Sequence, residues 1–226
     1  MTNSGMQEAV NQGMQGAAAA AQGDFASAAT HYGEAAGLYR KLGEDTGLAS
    51  ALNNQGVAAR ELSDFASAAT HYGEAAGLYR KLGDDTGLAL ALDGQGAVAV
   101  AQGDVASAAT HFAEAAGLYR KLGDDTGLAQ ALNNQGFVAV KQGGFASAAS
   151  HYGESVGLYR KLGDDTGLAQ ALNNQGFVAQ KLGDFAAAAA HCAKAADLYR
   201  KLGDDEGAAR TRDLQAELTR HLEGQN

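Results

Sequence analysis

LYRKLG stands at residues 38–43 and returns at 78–83, 118–123, 158–163 and 198–203, always 40 residues on. A single globular core has no need of one hexapeptide at fixed intervals, so the chain reads as an array of copies of one unit. Residues 123–162 and 163–202 differ at 11 of 40 aligned positions, leaving 29 identical. Units this alike face the same packing problem against copies of themselves. They solve it as a solenoid, each burying its apolar face on its neighbours.

Working outward from the hexapeptide, each period carries two stripes of helical spacing. Leu48, Leu52, Gln55, Ala59 and Leu62 step by four, three, four and three, and Phe65, Ala68, Tyr72, Ala75, Tyr79 and Leu82 form a second stripe of the same kind. Between them lies Ser63-Asp64, which is Gly23-Asp24, Gly103-Asp104 and Gly183-Asp184 in other copies. A glycine there ends one helix and an aspartate caps the next. The second helix ends at Gly83, and Asp84, Asp85 and Thr86 offer capping oxygens to the helix that follows. The unit is therefore an antiparallel helix pair, and no strand pattern competes with it.

Composition agrees. Of the 226 residues 46% are hydrophobic, chiefly alanine, with seven Phe, eight Tyr, no Trp and no Pro. Alanine is the best helix former, and its small side chain lets helices pack closely. Lys and Arg number 17 against 26 Asp and Glu, a net charge of −9. That balance repels phosphate backbones and anionic lipid head groups, so neither nucleic acid nor a membrane surface is an expected partner. The opening MTNSGMQEAVNQGMQGAAAA has no basic stretch followed by a leucine-rich one, and no apolar span reaches 18 residues. The expected location is cytoplasmic. Cys192, the single cysteine, has no internal disulfide partner.

The residues now carry a family resemblance. Gly56, the turn glycine Gly23 and its equivalents, Phe65, Ala68, Tyr72 and Ala75 resemble the glycine, glycine, aromatic, alanine, aromatic, alanine pattern of tetratricopeptide repeats. The resemblance spans nearly the whole chain. The period of 40 exceeds the family's usual length of about 34 and the closing proline is missing. In this the chain is similar to the extended variant of G-protein signalling modulators, kinesin light chains and bacterial arrays. The resemblance implies an all-α, right-handed α-solenoid forming a single domain over residues 1–226. Its five repeats would span about 5–42, 45–82, 85–122, 125–162 and 165–202, with a capping helix at about 205–222 built around Leu214, Leu218 and Leu222. Gln55, with Gln15, Gln95, Gln135 and Gln175, departs from the family's leucine. One amide per repeat is thus expected in the packing stripe, at least half buried and hydrogen-bonded.

ALNNQG at 51–56, 131–136 and 171–176, with ALDGQG at 91–96, raises the question of function. Gly56 is expected to let the two helices of a repeat approach closely. Asn53 and Asn54 lie on or beside the other face, which the resemblance makes the lining of a concave groove. Asparagine is a poor helix former, so six of them at Asn53, Asn54, Asn133, Asn134, Asn173 and Asn174 suggest a use. Their amides can pair with an extended peptide backbone, or else bond neighbouring repeats or water. The groove is uneven along the array. The row Ala17, Val57, Ala97, Phe137, Phe177 turns aromatic at its end, and the row Ala21, Glu61, Ala101, Lys141, Lys181 turns basic. With Gln130 and Gln170, repeats four and five present a set that suits a peptide carrying a carboxylate and an apolar side chain.

Other features point to structure. His31, His71, His111, His151 and His191 recur one per repeat, too far apart to share a metal ion, and are expected at junctions. Cys192 occupies the register of Tyr72 and reads as a small core residue. The pairs Asp84-Asp85, Asp124-Asp125, Asp164-Asp165 and Asp204-Asp205 fit caps and surface ion pairs. No phosphate-binding loop, nucleophile elbow or metal-ligand spacing is present, and no cofactor or catalytic residue is expected. The leading expectation is a non-enzymatic scaffold binding a peptide or protein segment, monomeric or weakly self-associating. A self-assembling module is the alternative, and a small-molecule carrier or enzyme a more distant one.

Overall fold

The structure is a computed structural model describing residues 2–223, with backbone alone for 2, 3, 221 and 223. Eleven α-helices follow one another among the described residues: α1 Thr2–Ala21, α2 Phe25–Leu42, α3 Asp45–Glu61, α4 Phe65–Leu82, α5 Asp85–Gln102, α6 Val105–Leu122, α7 Asp125–Lys141, α8 Phe145–Leu162, α9 Asp165–Lys181, α10 Phe185–Lys201 and α11 Asp205–Glu223. Odd-numbered helices through α9 are the first of a repeat and even-numbered ones the second, which makes the fold an α-solenoid of antiparallel pairs. The helices gather into two compact units, residues 1–118 and 119–226. None is long and apolar enough to cross a membrane.

Boundaries follow from the turn chemistry. Asp24, Asp64, Asp104 and Asp184 each accept a hydrogen bond from a backbone N–H three residues on, and Asp84, Asp124, Asp164 and Asp204 do the same for the first helices and α11. Glycines close the turns with φ between 69° and 82°, a left-handed conformation that costs glycine little. Ser63 stands at one of these positions with φ 60°. The second acidic residue at these turns forms ion pairs instead of caps. Asp45, Asp125 and Asp165 pair with Lys81, Lys161 and Lys201 of their own repeats.

Within a repeat, the two helices meet where a glycine lies under a ring. A Cβ on Gly136 would come within 2.6 Å of the Tyr152 ring, and one on Gly56 within 3.0 Å of Tyr72. Between repeats inside a unit, Tyr79 covers Gly87 and Tyr159 covers Gly167 in the same way. Second helices are also linked by Arg40–Glu74 and Arg80–Glu114 in the first unit and Arg120–Glu154 in the second, at 2.7–2.9 Å. These exposed pairs each contribute at most about 1 kcal/mol.

Three expectations need correction. Leu62 and Leu82, placed at the ends of the two core stripes, are 50% and 41% exposed, because each stands at or past the last helical turn, where the stripe has run off the interface. The first helix starts at Thr2 rather than near residue 5. Gln55, Gln95, Gln135 and Gln175 are half-buried, while Gln15 is exposed. The amide nitrogens of Gln55 and Gln175 lie against Gly33 and Gly153 of the preceding repeat, yet Gln55, Gln95 and Gln175 make no hydrogen bond to another described residue. Each keeps enough exposure for solvent to satisfy the amide, so burial does not impose a protein partner.

Candidate functional site

On α7 the side chains of Gln130, Asn133, Phe137 and Lys141 step by three, four and four residues and so share one face. α9 repeats the set with Gln170, Asn173, Phe177 and Lys181, and the two helices touch. Phe137 and Phe177 are 40% and 38% exposed, an uncommon state for phenylalanine. The ammonium of Lys141 sits 5.2 Å from the Phe137 ring centre and that of Lys181 5.3 Å from Phe177. Each stack is a cation–π contact worth about 0.5–1 kcal/mol at an exposed site. It leaves the lysine's outer hydrogens free. Neither lysine has a carboxylate partner among the described residues, whereas Lys81, Lys161 and Lys201 each have one. Gln130 and Gln170 are exposed at the first turns of the same helices.

The asparagines divide. Asn174 donates from Nδ2 to Oδ1 of Asn133 across the junction at 3.2 Å, and the Thr211 hydroxyl reaches Oδ1 of Asn173 at 3.4 Å. Asn134 is also engaged in a contact. One bond leaves each amide with further donors and lone pairs. In the first unit, Asn53 has a buried Oδ1 with no partner, and Asn54 lines a small cleft beside Phe25 and Tyr32. There the positive charge is already answered, since Arg60 pairs with Glu61 at 2.9 Å. The predicted residues Asn133, Asn134, Asn173, Asn174, Phe137, Phe177, Lys141, Lys181, Gln130 and Gln170 therefore lie together on two touching helices. Asn53 and Asn54 belong to the other unit.

The remaining titratable groups are placed by packing. The five periodic histidines are half-buried. His31 meets Gln12 at 2.7 Å through Nδ1, while Nδ1 of His71, His111 and His191 is buried without a partner, because leucine replaces Gln12 in later repeats. Cys192 is fully buried, and burial pushes its thiol up from the usual range. Among the described residues no three His, Cys, Asp or Glu side chains cluster as a metal site. His221 lies outside the described side chains. Sequence reasoning missed the Lys–Phe stacks as contacts, although the i, i+4 spacing in both repeats was there to find them.

Comparison with known proteins bears on the architecture. Tetratricopeptide repeat family models match residues 87–161 and 168–202. No curated protein matches the sequence. Among solved structures, aspartyl phosphate phosphatase F from Bacillus subtilis is 15% identical with a TM-score of 0.80, over 96% of this chain and 57% of that one. A Rap protein complexed with competence and sporulation factor is 16% identical with a TM-score of 0.73, over 96% and 64%. A kinesin-light-chain-like protein of Podosopora anserina with nearly identical TPR-like repeats is 11% identical with a TM-score of 0.70, over 85% and 95%. The chain thus spans less than two thirds of the first two structures. At these identities the likeness is one of fold.

Proposed function

As the chain belongs to the tetratricopeptide repeat family, we propose that it is a non-enzymatic cytoplasmic scaffold that holds an extended peptide or protein segment along the shared face of α7 and α9. The carrying observation is the pair of Lys–Phe stacks, Lys141 on Phe137 and Lys181 on Phe177, each with an unanswered ammonium on a protein of net charge −9. An acidic side chain on the ligand meets the ammonium, an apolar one covers the exposed ring edge, and Gln130, Gln170 and the asparagine amides take its backbone. The Rap complex, a fold relative with a bound factor, supports a binding role. Stacking of copies end to end is opposed by the outward residues of α1 and α11. Gln7, Glu8 and Asn11 are exposed where later repeats pack Gly47, Leu48 and Ala51, and Arg212 and Thr219 are exposed in the register of Leu172 and Ala179.

The test is selection from a random peptide library, followed by titration of the enriched peptides. Enrichment in Asp and Glu beside an apolar residue is expected, with affinity falling at least tenfold in Lys141→Ala/Lys181→Ala and falling further with salt in the parent, since exposed pairs are screened within about 10 Å at 0.1 M. Unchanged affinity in that variant and in Asn133→Ala/Asn174→Ala, with thermal melts intact, would place recognition elsewhere.

A further inference from the structure

In four repeats a buried ring fills the space between the paired helices: Tyr32, Tyr72, Phe112 and Tyr152. At this register the fifth repeat has Cys192. The same junction can be compared at both ends of the chain. Ala20, Phe25, Tyr32, Asn54, Val57 and Ala58 bound a cleft of about 40 Å³ in the first repeat. Their counterparts 160 residues on include Gln180, Phe185, Glu217 and Leu218, which with Arg220 bound a cleft of about 290 Å³. The tyrosine has dropped out of the wall. Leu218 stands where Ala58 and Val178 stand elsewhere, and the few methyl groups this adds do not replace a ring.

The cleft is two-sided in chemistry. Phe185 and the buried Leu218 supply its apolar side. Gln180, Glu217 and Arg220 supply the rim. Glu217 and the Gln180 amide have no partner among the described residues, and Arg220 reaches only the Ala216 carbonyl of its own helix, at 3.3 Å. A volume of 290 Å³ is near the lower end of small-molecule sites, about 300–1,000 Å³, and about twice the 150 Å³ cavity that takes benzene. It has room for one ring system.

We propose that this cleft receives one flat aromatic group bearing an N–H or O–H donor, an indole or a phenol. The ring lies against Phe185 and Leu218, its donor reaches the Glu217 carboxylate, and the Arg220 guanidinium stacks on the open face. Glu217 rejects an aromatic acid by repulsion. Such a group can be free or can be a Trp or Tyr side chain of a peptide on the α7–α9 face, since Gln180 adjoins Lys181 and Glu217 continues the row of Phe137 and Phe177. The cleft itself does not depend on the peptide reading.

Titrations of the full chain with indole, p-cresol, toluene and benzoate, followed by NMR at the Leu218 methyls, test it. Indole and p-cresol should give saturable shifts, with toluene and benzoate at least threefold weaker. Cys192→Tyr, which restores the ring of the other repeats, should weaken indole tenfold or more. If that variant melts early, Cys192→Tyr/Leu218→Val restores the Tyr152 and Val178 pairing of repeat four. Glu217→Val, with the residue found at position 57, should erase the preference of p-cresol over toluene. Non-saturable shifts, or shifts unchanged in the refilled variant, overturn the proposal. A tryptophan-containing acidic peptide that binds tenfold tighter than indole and is weakened by Lys181→Ala identifies the side chain as the source. Equal affinity identifies the free ring. Indole binding should be indifferent to Lys141→Ala/Lys181→Ala, so failure of the peptide reading leaves this result standing.

Discussion

His71, His151 and His191 sit where a second ring proton is unwelcome. Burial is the main cause, and it holds all three imidazoles below their ordinary range; Arg40, Arg120 and Lys194 push the same way, while Glu74, Asp64, Glu154 and Asp184 oppose. In the unfolded chain these rings titrate near pH 6.5, so on acidification the unfolded state takes up protons first. Their contribution is fully present above about pH 6.5 and is lost as pH falls through the lowered folded values. The caps Asp24, Asp64 and Asp104, held low by their bonds to Ser27, Ser67 and Ser107, give up theirs later, below about pH 3.9. Urea midpoints should therefore fall in two stages, and replacing the three histidines by leucine should flatten the stage between pH 8 and 5. A midpoint that rises on going from pH 8 to 5 would sink this account. The placement of the histidines at packed positions was legible from their period. Their lost partner was not, because it depends on which side chain of the paired helix, Gln12 or a leucine, stands opposite.

At the scale of the helix, glycine has two opposite meanings in this chain. Gly136 lies under the Tyr152 ring, whereas a Cβ at Gly77 or Gly157 would meet nothing within 4 Å. Gly157→Ala and Gly77→Ala should each stabilise by about 0.5–1 kcal/mol, the usual difference in helix preference. Gly136→Ala should cost about 1–3 kcal/mol through overpacking. Denaturant curves on the three variants decide it, and a stabilised Gly136→Ala would mean that the helices can separate freely. The sequence already distinguished Gly56 as a point of close approach, since it lies beside a stripe that aligns with Tyr72. It misjudged Leu62 and Leu82, because helical spacing continues on paper past the point where the helix and its neighbour end. The candidate site was half legible: the rows of Phe and Lys could be read by aligning repeats, but the Asn174–Asn133 bond needs the distance between two helices. So does the cleft beside Leu218, which is a volume left by a missing ring.

Across the molecule the same junction recurs, which makes length negotiable. Deleting residues 43–82 joins Leu42 to Gly83 and preserves the turn sequence. The shortened chain should keep its helicity per residue and melt earlier, as repeat stability is a sum of local and nearest-neighbour terms. Circular dichroism through a thermal scan checks this, and loss of all helicity would indicate a core that cannot be cut. The row of Arg–Glu pairs carries a different message. Arg120 meets Glu154, but the next step places Arg160 opposite Lys194, where the glutamate is gone. Were residues 123–162 looped out, α10 would dock with Lys194 facing Arg120, trading an attraction for a repulsion. Each sign is worth about 0.5 kcal/mol at the surface, together enough to disfavour the misthreaded chain about fivefold. A chain of near-identical copies thus carries, in one changed charge, a mark that tells its last repeat from the one before.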